Sequence, residues 1–295
     1  MKAGKRIGYL GLSLLALVSA IGVQLVASIV VMLPVTFVAG FQAGMQGIED
    51  MEVITQMSND AVAAAMPLMV LVAHIGMVLT FALWYRFGCG RPSLKNVDLK
   101  QVFAPKKLAA MVLIAVGLCI FTNFALVLVY PIIPESVVET YETMMENVQM
   151  GESPLAIFAA VCLAPIGEEL ACRGVIFYYA KKAVSGMKHP TAAFWIANCV
   201  QAFLFGVMHG NLLQGTYAFI LGLVLGYMAH HFKSILPAML GHFLFNGVSS
   251  FAMEPISSAL PESNVVYGVI VAVCAVVIAG GFYLGGATKE KPIVA

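Results

Sequence analysis

Two adjacent carboxylates and a guanidinium stand inside an apolar stretch of the chain, in Ala164-Pro-Ile-Gly-Glu168-Glu169-Leu-Ala-Cys-Arg173-Gly174. An ionised side chain at the centre of a bilayer costs at least ~2.5–3.5 kcal/mol, so such residues are rare and mostly functional. Helical spacing separates the two acids. Glu169 and Arg173 are i,i+4 and share a face, where they can form a structural ion pair. Glu168 points about 100° round the helix and has no such partner. One acid is spoken for, and the other is left for chemistry.

Two more pairs repeat this spacing. Phe205-Gly-Val-Met-His209 puts a ring and an imidazole on one face, with Asn198 and Gln201 extending a polar stripe back along the same side. Gly241-His242-Phe-Leu-Phe-Asn246 puts His242 and Asn246 one turn apart. His74 and Asn123 stand alone, and each is expected to be an interhelical hydrogen bonder. A spare carboxylate, two histidines and an asparagine suit hydrolysis. Glu168 can act as general base toward a water that His209 helps hold. His242 and Asn246 can offer N–H groups to the oxyanion of a tetrahedral intermediate. No Ser or Cys sits with a base at helical spacing so as to suggest an acyl-enzyme; Cys172 is one turn from Glu168, but its sequence neighbours supply no His.

The elements that must position these groups are membrane helices. The 295 residues are 61% hydrophobic and 11% charged, against ~25% charged in soluble domains; mean hydropathy is +0.92. The reading is an all-α, polytopic membrane protein, one integral-membrane domain over 1–295 with a catalytic core at about 154–252 and a buried polar site in helices four to seven. Apolar runs long enough to span fall at about 7–40, 63–86, 107–131, 154–180, 191–209, 216–232, 236–252 and 265–286. The first is too long for a signal-peptide core and is read as a retained span.

Charge tests the count of eight. Lys and Arg occur before the first run and in every second linker after it, while 41–62 and 132–153 carry acids and no base. Of 16 Lys and Arg, 15 then fall on one side, and the sixteenth is Arg173. The positive-inside rule makes that side, with both termini, cytoplasmic. The 41–62 and 132–153 linkers could form amphipathic helices at the outer surface, but the expectation is plain solvated loops. Six cysteines show no metal-ligand spacing, and no basic aromatic patch points to nucleic acid.

The three motifs, in this order, resemble those of the CAAX prenyl endopeptidase and bacteriocin-processing group (the CPBP or Abi family of intramembrane proteases). That group is marked by Glu-Glu-x-x-x-Arg, Phe-x-x-x-His and a third motif containing His-x-x-x-Asn. They read here Glu168-Glu169-Leu-Ala-Cys-Arg173, Phe205-Gly-Val-Met-His209 and His242-Phe-Leu-Phe-Asn246. The resemblance covers about 155–250 and implies an eight-helix protease that cleaves peptides within the membrane. It implies Glu168 as base assisted by His209, His242 and Asn246 as oxyanion hole, and Glu169 with Arg173 holding the architecture. Cys172 departs from the aromatic that many bacterial members carry there. The tail Lys291-Pro-Ile-Val-Ala295 has no CaaX cysteine, so the protein is not expected to be a prenylation target itself.

The implied partner is a membrane-associated peptide or protein; prenylated proteins and bacteriocin-like precursors both meet that description. No cofactor is expected. The rival enzyme reading gives Zn²⁺ to Glu168, His209 and His242, without the support of an H-E-x-x-H motif. Outside enzymes, the alternatives are a non-catalytic binding or immunity protein and a proton-coupled transporter; the latter predicts inverted repeats, which the sequence lacks. Depth poses one problem. Glu168 lies about 20 Å from the cytoplasmic end of its helix, whereas His209 is nominally about 27 Å in. For the two to meet, the fifth span must tilt or begin within 181–190, and a cytoplasmic opening is the expected access.

Overall fold

The computed structural model describes residues 2–90, 98–148 and 153–286. The sequence readings at Arg91, Lys95, Glu152, Lys289, Lys291 and the 291–295 tail lie outside them. The described residues are helical throughout and form no strand. We number the helices α1 (Ala3–Met45), α2 (Met51–Leu83), α3 (Pro105–Val129), α4 (Glu135–Val148), α5 (Pro154–Ala183), α6 (Pro190–Met208), α7 (Leu212–His231), α8 (Leu236–Phe251) and α9 (Asn264–Gly285). Seven of them are long and apolar enough to cross a membrane. The expected seventh span, α8, has only 16 residues; it opens on Pro237 and ends at Ala252, one residue before the short helix Met253–Ser258.

The acidic linkers are not loops. α2 begins at Met51, where the Asp50 side chain accepts a hydrogen bond from the Glu52 N–H at 2.8 Å and caps the helix. The 132–153 linker is largely α4, an amphipathic helix whose Val137, Tyr141 and Met144 recur at i, i+4, i+7 and are half-buried, while Glu135, Glu139 and Glu142 are exposed. Hydropathy finds the part of a helix that lies in lipid and passes over the turns beyond it.

α5 is the central rod. It packs on α1, α2, α6 and α8, and its residues 169–177 are buried around the whole circumference, as expected of a helix enclosed by others. Two stretches, Ala159–Leu163 and Leu170–Ile176, widen to π-helical geometry. Such bulges are common at functional sites, and here they bracket Glu168 and Glu169. Close approach of α6 to α7 is set by glycine: a Cβ on Gly206 would sit 2.6 Å from the Gly215 carbonyl oxygen. Near the other end of α6, Gly226 of α7 leaves room for the amides of Asn198 and Gln201.

Candidate active site

The Glu169–Arg173 pair forms as its spacing requires, with Arg173 Nη1 2.7 Å from Glu169 Oε1 and both side chains fully buried. Arg173 also donates from Nη2 to the Gly222 carbonyl of α7 at 3.3 Å, and its guanidinium lies 4.5 Å over the Phe205 ring. The glutamate does more than balance the arginine. The same Oε1 lies 2.9 Å from His242 Nδ1 on α8. An ionised carboxylate only accepts, so Nδ1 carries the proton and Nε2 is the free nitrogen of that ring. The ion pair therefore fixes both the position and the tautomer of His242.

Glu168 points into a separate space. Its Oε2 lies 3.8 Å from His242 Nε2, and its Oε1 lies 3.7 Å from His74 Nε2 on α2. His74 was expected to stand alone; docking of α2 on α5 brings it to the carboxylate. Its Nδ1 donates to the Val70 carbonyl at 2.8 Å. His209 repeats the pattern, with Nδ1 donating to the Phe205 carbonyl at 2.8 Å and its ring edge-on to Phe205 at 4.8 Å. All three rings spend Nδ1 on a fixed acceptor and keep Nε2 for the interior. Asn246 donates from Nδ2 to the Ala160 carbonyl, in the first π-helical stretch, at 2.9 Å, which leaves its second N–H free.

Glu168, His209, His242, Asn246 and His74 line one cavity of about 370 Å³. His209 is close enough to interact with the charge of Glu168. α6 begins at Pro190, the last residue of the 181–190 linker and one residue before the apolar run, and runs to Met208, with His209 capping its C-terminal end. In the α6–α7 turn Asn211 is buried and its side chain accepts from the Gln214 N–H at 3.1 Å, while Gly210 and Leu212 on either side of it are exposed.

The far end of the cavity is made by Leu126, Tyr141, Met144, Ser249 and Ser250. These residues belong to α4 or to the ends of α3 and α8 that lead into acidic segments. In the other direction the protein is closed: Glu169, Arg173, Phe205, Asn198 and Gln201 are all at most 3% exposed. The cavity thus reaches toward the acidic segments, away from the lysine-rich linkers. Tyr141 of α4 and Tyr217 of α7 both line it.

Asn198 and Gln201 do not extend the site. Asn198 donates to the Leu223 carbonyl at 3.0 Å, and Gln201 donates to the Gly222 carbonyl at 2.9 Å. They bind α6 to α7 beneath the cavity. Asn123 lines the cavity, yet its amide donates back to the Cys119 carbonyl at 2.9 Å. Among the described residues, no three His, Cys, Asp or Glu side chains are grouped so as to hold a metal ion.

Comparison with known proteins agrees with the motifs. Residues 151–248 match a family model described as Rce1-like, type II CAAX prenyl endopeptidase Rce1-like. No curated protein and no solved structure matches the chain. The matched segment contains Glu168, Glu169, Arg173, His209, His242 and Asn246; His74 lies outside it. Over residues 151–248, the segment that carries the three motifs, this multi-pass membrane protein is similar to the Rce1-like type II CAAX prenyl endopeptidases.

Proposed function

We propose that the chain is an endopeptidase that hydrolyses peptide bonds with a water activated by Glu168. The water sits between the Glu168 carboxylate and His209 Nε2. As its oxygen attacks the peptide carbonyl carbon, its proton passes to Glu168. The oxyanion receives the free Nδ2–H of Asn246. His242 can add a second N–H only as imidazolium, because its neutral form keeps the single proton on Nδ1, toward Glu169. Cleavage of the C–N bond then returns the proton from Glu168 to the leaving nitrogen, giving a carboxylate and an amine. No cofactor enters this scheme.

One observation carries the reading. Arg173 is spent on Glu169, while Glu168, the acid without a cation, faces the cavity between imidazole nitrogens at 3.7 and 3.8 Å. A structural role would pair both acids. The substrate is a peptide or protein segment held at the membrane, of the prenylated or bacteriocin-precursor kind. With both termini cytoplasmic, as the lysine distribution supports, the cavity faces the opposite side. That favours a segment presented on the non-cytoplasmic face over a cytosolic CaaX tail.

Comparing the membrane peptidomes of cells carrying the wild-type chain and Glu168→Ala tests the reading. Fragments present with the wild type and replaced by intact precursors in the variant are expected; identical peptidomes would contradict it. Metal analysis of the purified protein, with turnover measured after chelation, separates this scheme from the zinc alternative.

A further inference from the structure

Glu168 has an imidazole at each carboxylate oxygen, and only one of them belongs to the three motifs. The other is His74, 20% exposed at its side chain and held by its Nδ1–H on Val70. In the neutral ring Nε2 is then a bare lone pair facing Glu168 Oε1 across 3.7 Å. Two acceptors in that arrangement, in a cavity largely screened from bulk water, repel unless a proton or a bridging water lies between them. The titratable groups lining the same cavity are Glu168 on α5, His242 on α8, His209 at the end of α6, Tyr141 on α4 and Tyr217 on α7. A side chain that only glued α2 to α5 would do so better with an amide or an apolar group.

We propose that His74 is a positioning residue for Glu168. It anchors Oε1 through a shared proton or water, so that Oε2 stays turned toward the nucleophilic water and His242. This inference rests on the hydrolytic reading above and extends the site to α2, beyond the segment the family model matches. Because His74 acts through Glu168, its loss should lower the rate of the chemical step and leave substrate binding alone.

The test uses the full-length protein in detergent, with an internally quenched prenylated CaaX peptide as probe. His74→Leu keeps the bulk of the ring, and His74→Gln restores an N–H facing Oε1. We expect Leu to lower kcat by up to about 10²-fold at unchanged KM, the scale of a misplaced catalytic group, and Gln to recover most of it. A Leu variant as active as wild type, or a loss confined to KM, overturns the proposal. A second readout needs no turnover: the His74 imidazole ¹⁵N resonances should move on Glu168→Gln, and resonances that stay fixed overturn the coupling. If the wild-type chain cleaves neither this probe nor any peptide in the membrane-peptidome comparison, the hydrolytic reading fails, and the resonance comparison still decides whether His74 and Glu168 are coupled.

Discussion

At the scale of single residues, the site is governed by which hydrogen-bonding capacity each group has left. Glu169 Oε1 serves both Arg173 and His242, so it sets the charge balance and the imidazole tautomer together. Removing one member of a buried ion pair costs about 3–5 kcal/mol, and Arg173→Ala is expected to lower the unfolding temperature sharply in a detergent melt. Glu169→Gln should do the same and also cut turnover, because the Nδ1 anchor of His242 is weakened; unchanged stability in both would refute the paired assignment. Asn246 has one N–H on Ala160 and one free. Losing an oxyanion donor costs about 10²–10³ in kcat, so Asn246→Ala should show a loss of that order with little change in KM. An effect confined to KM would move Asn246 from the oxyanion to substrate positioning.

At the scale of elements, the π-helical stretches of α5 and the glycine contact between α6 and α7 position the chemistry. Gly206 has no room for a methyl group, since its Cβ would sit 2.6 Å from a carbonyl oxygen. Overpacking of this kind costs about 1–3 kcal/mol. Gly206→Ala should therefore destabilise the protein in a thermal melt and reduce turnover by shifting His209, three residues on. What could be read from sequence at this scale was whatever lies within one helix. Glu169–Arg173 and Phe205–His209 are i,i+4 pairs, and helical geometry places them without knowledge of the rest. What lies between helices was hidden. His74 meets Glu168 only because α2 docks on α5, and no spacing encodes that. Asn198 and Gln201 share a face with Phe205, yet α7 covers them and leaves His209 open. α4 was passed over as a loop because a helix with so many acids has no apolar run, although Val137, Tyr141 and Met144 carry the pattern.

At the scale of the whole molecule, the alternation of lysine-rich and acidic linkers is the ground for the proposed orientation, and the closed packing around Arg173 sets the direction in which the cavity reaches. A membrane-impermeant thiol reagent applied to intact cells is expected to label a cysteine at Glu139 and not one at Lys188; the reverse pattern would invert the topology and return the cavity to the cytoplasm. The eight segments were legible as hydropathy and charge. The shortness of α8 was legible as well, since the seventh apolar run, 236–252, is itself short and the helix Leu236–Phe251 follows it within a residue. The claim on which the rest depends is that Glu168, the acid without a cation, is the base. The most direct measurement is turnover of a quenched prenylated CaaX peptide by purified Glu168→Gln beside wild type, with the unfolding temperature of each. The expected result is no cleavage above background by a variant that unfolds close to the wild-type temperature; near-normal turnover would show that the proton goes elsewhere and would contradict the account.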